Sequence, residues 1–243
     1  MPETIELSVV SPVHNEGGNA GALAREIAKA LEGRSFEIIF VDDASRDSTR
    51  QELAAARAEI PQLRIISHRR NAGQSRAIRS GVLAARAPLI GTLDGDGQND
   101  PADLPRLVAK LTRGDAPAEL AMVAGQRVKR EDSEARRQAS KIANAVRMRL
   151  LGDGATDSGC GIKVFRREAF LSLPYFDHMH RYMPALMQRE GYRVEYLEVN
   201  HRPRGAGRSN YTNFGRLAAA LSDLFGVMWL KSRARNPGGA DEL

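Results

Sequence analysis

The feature that most constrains this chain is a fourfold alternation. Apolar runs at Glu6–Val13, Phe36–Val41, Leu63–Ser67 and Leu89–Leu93 are separated by segments with helical spacing. Leu23, Ile27 and Leu31 recur at i, i+4 and i+8 and predict a helix over Gly21–Leu31. Further helices are predicted over Thr49–Glu59, Gln74–Arg86 and Ala102–Thr112, and a fifth strand over Leu120–Ala124. Continuous apolar strands joined by helices of this length make an α/β fold, with a mainly parallel sheet covered on both faces.

Each of the first four strands is followed at once by a polar cluster. These are His14-Asn15-Glu16, Asp42 to Asp47, Arg69 to Gln74, and Asp94-Gly95-Asp96-Gly97-Gln98. In an open parallel sheet, ligands bind outside the carboxyl ends of the strands, so all four clusters fall on the binding edge. One such cluster is an ordinary solvated loop; four in register describe a site.

The rest of the chain is less regular. A basic amphipathic helix is predicted over Ser133–Leu151, short strands over Ile162–Phe165 and Arg193–Val199, and a second amphipathic helix over Asn213–Lys231. We expect one domain over residues 1–231, with a ligand-binding half at 1–125 and a second half at 126–231. Residues 232–243 are expected to fray.

Composition removes several classes. With 42% hydrophobic residues in 243, the chain can bury a sizeable core. Cys160 is the single cysteine, which excludes a disulfide scaffold. No apolar stretch approaches the ~20 residues of a membrane span, and the first residues lack the pattern of a signal peptide. A cytoplasmic location is the default expectation. The balance of 36 basic and 30 acidic residues, net +6, favours anionic partners. Eight of the cations fall between Gly125 and Leu151, against three acids. Aromatics are only 5% and show no base-stacking pattern, so nucleic acid is not an expected partner.

The cluster after the fourth strand carries the clearest chemistry. Two carboxylates one residue apart repel unless a cation lies between them, and hard oxygen ligands select Mg²⁺ or Mn²⁺. Gly95 and Gly97 let the backbone turn tightly beside a ligand; an Asx turn capping the following helix is the plain alternative. Asp42 and Asp43 close a buried strand, so at least one is expected to face the cleft. Ser45 and Asp47 suit the start of the next helix, and His14 and His201 are read as structural. No G-x-G-x-x-G, phosphate-loop, H-E-x-x-H or G-x-S-x-G motif is present.

Taken in order, these residues resemble a known family. The run Ser11 to Glu16, then Val41 to Asp47, Arg70 to Ala77, Leu93 to Gln98, Gly125-Gln126-Arg127, Asp157 to Lys163 and His201 to Ser209 is similar to the inverting family 2 glycosyltransferases of GT-A fold. Within them the closest likeness is to the polyprenyl-phosphate sugar transferases typified by dolichol-phosphate mannose synthase. The resemblance implies that Pro12, Glu16 and Asp43 hold the nucleoside and that Asp94 lies beside the nucleotide. It implies that Asp96 and Gln98 ligate Mg²⁺ or Mn²⁺. Arg127 and Arg204 would face sugar and phosphates, Ser209 would support them, and Asp157 would stand on the acceptor side. The residues expected to be catalytic are thus Asp96, Arg127, Asp157 and Arg204.

The implied reaction moves a sugar from a nucleoside diphosphate to a polyprenyl phosphate, with GDP-mannose the first expectation and a UDP-sugar the alternative. Three positions depart from the family pattern: Gly97, Ile162-Lys163 and Asn210. The last two are expected to weaken cationic contacts to the donor. The two amphipathic helices, flanked by Lys and Arg, suggest a peripheral enzyme at the inner membrane face. A homo-oligomer is left open. Two rival readings share single features of the chain: a phosphatase with D-x-D after a strand, which the position and Gln98 disfavour, and a basic adaptor without turnover.

Overall fold

The computed structural model describes residues 5–127, 147–203 and 213–235. Within them, β1 (Leu7–Val13), α1 (Ala20–Ala30), β2 (Phe36–Asp42), α2 (Thr49–Glu59), β3 (Leu63–Ser67), α3 (Gln74–Ala84) and β4 (Leu89–Thr92) follow the predicted alternation. A single 3₁₀ turn (Pro101–Asp103) leads into α4 (Leu104–Leu111), and β5 spans Leu120–Arg127. After residue 147 come β6 (Lys163–Arg166), α5 (Arg167–Leu171), a 3₁₀ turn (Met179–Arg181), α6 (Met183–Arg189), β7 (Arg193–Val199) and α7 (Asn213–Ser232).

The seven strands form one sheet in the order β3-β2-β1-β4-β6-β5-β7. β1 pairs in parallel with both β2 and β4, and β2 with β3. β6 runs antiparallel to both of its neighbours, β4 and β5. The chain winds outward through β2 and β3 and then crosses to the other side of β1. The strand order therefore reverses between β1 and β4, and a crevice opens there at the carboxyl ends. The loops after β1 and β4 flank that crevice, which explains why their polar clusters face each other.

Strand residues alternate between two cores. Val9, Ile38 and Phe40 meet Leu23 and Ile27 of α1 and Leu104 of α4 on one face. Val10, Ile39 and Val41 meet Ile78 of α3, Met183 of α6 and Val227 of α7 on the other. The strands are buried on both sides, which is why they read as unbroken apolar runs.

Several predicted boundaries move. The helix expected over Gln74–Arg86 stops at Ala84, where Ala85 turns extended at φ −67° and ψ 144°. The helix expected over Ala102–Thr112 begins as a 3₁₀ turn, since Pro105 suits only a first helical turn. β5 runs three residues past Ala124, because Gly125–Arg127 pair with Leu197–Val199 of β7. Ser232, expected in the tail, still belongs to α7. Helices α5 and α6 were not anticipated; they are too short to show a periodic stripe. The basic helix predicted over Ser133–Leu151 lies outside the described residues except for 147–151, which are helical. Arg204, Ser209 and Asn210 also lie outside them.

Candidate active site

The loop after β4 is built on its own side chains. The Asp94 amide donates to Asn99 Oδ1 at 3.1 Å, and the Gln98 amide donates to Asp96 Oδ1 at 3.1 Å. Gly95 sits so close to β1 that a Cβ there would lie 2.9 Å from the Pro12 carbonyl oxygen, and Gly97 takes φ +73°. These two glycines bring Asp94 and Asp96 to the mouth of the crevice. Gln74, the first residue of α3, donates from Nε2 to Asp94 Oδ1 at 2.8 Å. Burial, and next the charge of Asp96, raise the Asp94 pKa above the ordinary carboxylate range.

Arg127 ends β5 and points back toward this loop. Its Nε and Nη2 donate to the two carboxylate oxygens of Asp157 at 2.5 and 2.7 Å, a bidentate fork that fixes the guanidinium plane. Both side chains are nearly buried. Lys163, on β6, is buried and donates to the Cys160 carbonyl. Gly161 lies against Asp94, where a Cβ would come within 2.3 Å of the carboxylate. The segment 158–161 therefore closes over Asp94 only because residue 161 has no side chain.

These residues enclose a cavity of about 280 Å³. Asp94, Arg127 and Lys163 line it together with Gln74, His180 and Arg181. Lys163 lines the same cavity within the field of Asp94, with its ammonium on the Cys160 carbonyl.

Asp42 and Asp43 are held quite differently. Asp42 accepts from the Ser45 amide at 2.9 Å and from Arg50, and is fully buried. Asp43 turns toward the loop after β3. Its two oxygens accept from the Ala72 amide at 2.9 and 3.1 Å, from the Gly73 amide at 2.8 Å, and meet His68 Nδ1 at 2.7 Å. Asp47 accepts from the amides of Thr49 at 3.0 Å and Gly17 at 2.8 Å, so it both starts α2 and pins the loop after β1. Glu16 accepts from Asn19 Nδ2 at 3.2 Å at the start of α1. The His14 ring meets the Asp43 carbonyl at 2.8 Å, as a structural histidine does.

The structure thus gathers Pro12, Asp94 and Arg127 around one cavity, with Asp157 behind Arg127, and places Asp96 and Gln98 on the same loop as Asp94. Asp43 lies one strand away, beneath the β3–α3 loop. Sequence reasoning missed Gln74, His180, Arg181 and Arg202. Gln74 stood within a quoted motif but carried no assigned role. Arg202 has its amide on the Gln98 carbonyl at 3.0 Å, and its guanidinium bridges Glu26 at 2.5 Å and Asp100 at 2.6 Å. It stitches the segment after β7 onto the loop carrying the two aspartates. His180 and Arg181 sit in an irregular stretch with no local signal.

Residues 8–173 match the family model described as "Glycosyl transferase family 2". The chain belongs to glycosyl transferase family 2. This transferase is 34% identical over 245 residues to the dodecaprenyl-phosphate galacturonate synthase of Rhizobium johnstonii, covering 97% of this chain and 70% of that protein. Its fold matches glucosyl-3-phosphoglycerate synthase of Mycobacterium tuberculosis in complex with Mn²⁺, uridine diphosphate and glucosyl-3-phosphoglycerate, at a TM-score of 0.71 and 17% identity. That match covers 96% of this chain and 82% of the other. The same enzyme with Mg²⁺ and uridine diphosphate matches at 0.70 and 16% identity, with the same coverage. At such identities the likeness is one of fold, and it establishes the GT-A arrangement. Family membership sets aside both the phosphatase and the adaptor readings.

For a glycosyltransferase, the site's assets are two neighbouring carboxylates, a guanidinium locked in one plane, and a small cavity between them. Among the described residues no group of three or more His, Cys, Asp or Glu side chains gathers as a metal site. A Mg²⁺-type ion needs no such group, because it binds through one or two carboxylates and completes its shell with substrate phosphates and water. The crowding of Asp94 by Asp96 is the electrostatic state such a cation relieves.

Proposed function

We propose that this family 2 enzyme transfers a sugar from a nucleoside diphosphate to a polyprenyl phosphate at a membrane surface, with inversion at the anomeric carbon. The observation that carries the reading is the cavity between Asp94 and the Arg127–Asp157 fork, at the point where the strand order reverses. The relative from Rhizobium, named for a dodecaprenyl phosphate, supports the lipid acceptor. GDP-mannose was the first expectation. The uronate in that relative's name and the uridine diphosphate in the matched folds favour the alternative, a UDP-sugar.

In this reading Pro12 and Glu16 line the nucleoside site. Asp43 bonds the nucleoside and, through its bonds to Ala72 and Gly73, also shapes the wall of that site. Asp96 and Gln98 would hold Mg²⁺ or Mn²⁺, with Asp94 beside the nucleotide. When bound, the ion neutralises the diphosphate and makes it a better leaving group. Arg127 offers a planar fork to phosphate oxygens, while Asp157 keeps that fork aimed rather than acting as a base. Arg204 adds a second cation, supported by Ser209. An acceptor phosphate is already largely ionised at neutral pH, its second pKa being about 6. It needs alignment, which positioning and fixed charges supply.

The lipid must be met at the bilayer. α7 packs Val227 into the core, with Leu224 and Met228 against it, and leaves Leu221, Phe225 and Trp229 at 48%, 66% and 59% exposure. These three recur at i, i+4 and i+8, so they form one outward stripe. Arg233 lies 6.0 Å from the Trp229 ring, at the basic end of the helix. An apolar stripe with an aromatic and basic border suits the headgroup plane. No helix among the described residues is long and apolar enough to cross a membrane.

The deciding assay is transfer of labelled sugar from UDP-sugars and GDP-mannose to a polyprenyl phosphate with Mn²⁺, beside Asp96→Asn. Product that forms with the wild type and vanishes with the variant supports the reading. Product confined to a water-soluble acceptor overturns it. A triple change of Leu221, Phe225 and Trp229 to Ser should abolish sedimentation with anionic vesicles.

A further inference from the structure

The cavity is lined by a cation, Arg181, to which the transfer reaction above gives no role. Three cationic side chains line it or border it: Arg127, Lys163 and Arg181. Two carboxylates answer them. Asp157 is taken up by Arg127, and Asp94 lies in the field shared by Lys163 and Arg127. Arg181 makes no ion pair among the described residues and is only partly exposed. A guanidinium held at a cavity wall without a counter-charge is a site waiting for an anion.

The surroundings narrow what that anion is. At about 280 Å³ the cavity lies just below the ~300–1,000 Å³ of drug-sized ligand sites, the scale of a single sugar ring. Ile78, Leu93 and Met183 supply apolar wall, while Gln74 and Asp94 supply polar groups, the mixture a pyranose needs. His180 stands next to Arg181. Burial holds its imidazole well below the usual range, with the field of Arg181 second, so the ring is neutral. Its Nδ1 meets Ser75 Oγ at 2.8 Å, and Ser75 Oγ also accepts from the His180 amide at 3.3 Å.

We propose that Arg181, with Lys163 and His180 beside it, forms a carboxylate-recognition subsite for the sugar, so that the preferred donor is a nucleoside-diphosphate hexuronate. The inference rests on the transferase reading above and deepens it. The Arg181 fork matches a planar carboxylate on carbon 6 of the ring, and a neutral hexose leaves that charge unanswered. A site built around a charged partner rejects the analogue lacking it by far more than an apolar pocket rejects a missing methylene.

The test measures kcat/KM for UDP-galacturonate, UDP-glucuronate, UDP-galactose and UDP-glucose with polyprenyl phosphate and Mn²⁺, for wild type, Arg181→Gln and Arg181→Lys. We expect the wild type to prefer a uronate over its matching hexose by at least 100-fold. Arg181→Gln should lower that ratio on the order of 100-fold, and Arg181→Lys by less, because it keeps the charge and loses the fork. Thermal shifts of the wild type with each UDP-sugar give the same ranking if a variant fails to fold. Transfer with no preference for uronates overturns the inference and leaves the transferase reading intact. An unchanged donor ratio with a raised KM for the lipid phosphate also overturns it, because Arg181 then serves the acceptor. No transfer from any nucleotide sugar to the lipid overturns the reading beneath it.

Discussion

At the end of β2, Asp42 and Asp43 spend their oxygens on Ser45, Arg50, His68 and the amides of Ala72 and Gly73. At the end of β4, Asp94 takes one side-chain bond from Gln74 and is crowded by the charge of Asp96. The two pairs stand on one edge of one sheet, with the same residue type and nearly the same spacing. Burial pushes the Asp42 pKa up, but bonds from Ser45 and Arg50 outweigh it and hold it below the usual range; at Asp94 burial wins. A carboxylate that the fold satisfies stabilises loops. A carboxylate that the fold leaves in an unfavourable field is poised for a ligand, and the cost is recovered when the ligand binds.

The sharpest way to break this contrast is at the β4 pair. Asp96→Asn, or removal of divalent cations by chelation, should reduce transfer by on the order of 10³-fold while the melting temperature stays within a few degrees. A large fall in melting temperature would show that Asp96 is structural after all. Next comes the fork. Asp157→Ala leaves a nearly buried guanidinium unpaired, so we expect a loss of about 3 kcal/mol in urea unfolding and roughly 100-fold in kcat/KM. Full activity in this variant would mean that Arg127 aims itself.

At the β2 pair the effect moves from activity to stability. Asp43→Asn should cost about 2–3 kcal/mol, or roughly 4–12 °C in Tm. Under the proposed function donor affinity should fall with it, because Asp43 sets the Ala72–Gly73 loop and is assigned to the nucleoside. Normal stability with lost nucleotide binding would show a ligand contact alone and erase the contrast.

The smallest effect extends the comparison to pH. Glu37 is buried, and although burial raises its pKa, bonds from Ser8, the Arg86 amide and Arg64 outweigh that and hold it low. A carboxylate whose folded pKa is depressed stabilises the protein above its unfolded value, about 4.3. That contribution is lost as pH falls through the folded value. The wild type should exceed Glu37→Gln by about 1–2 kcal/mol at pH 7, with the gap closing below about pH 4 in urea titrations. A gap that persists unchanged to pH 3 would assign the effect to packing instead.

The first half of the molecule was legible because its signals are local. A doubly buried parallel strand must be apolar throughout, a covering helix must carry a stripe, and the turn between them must be polar. Strands β1 to β4, helices α1 and α2 and the four loop clusters were read from those rules within a residue or two. Asp94 and Asp96 stand out for a related reason, since two carboxylates one residue apart after an apolar strand are a short local run, while Arg127 stands out only through the family resemblance. Lys163 stood out only as a departure from the family pattern. Its role depends on where β6 lies, and β6 enters antiparallel between β4 and β5, a pairing that no spacing in the chain announces.

His180, Arg181 and Arg202 illustrate the remainder. They belong to short segments whose positions follow from the packing of α3, α6 and β7: His180 meets Ser75, 105 residues away, Arg202 meets Asp100 and Glu26, 102 and 176 residues away, and Arg181 gains its meaning from the cavity it lines. Local sequence determined the elements, the binding edge and the type of chemistry, because those depend on periodicity and on what each residue can bond. Only the tertiary structure decided which carboxylates are satisfied and which cation is left facing the cavity, because desolvation and charge balance are sums over neighbours that the chain brings together only by folding.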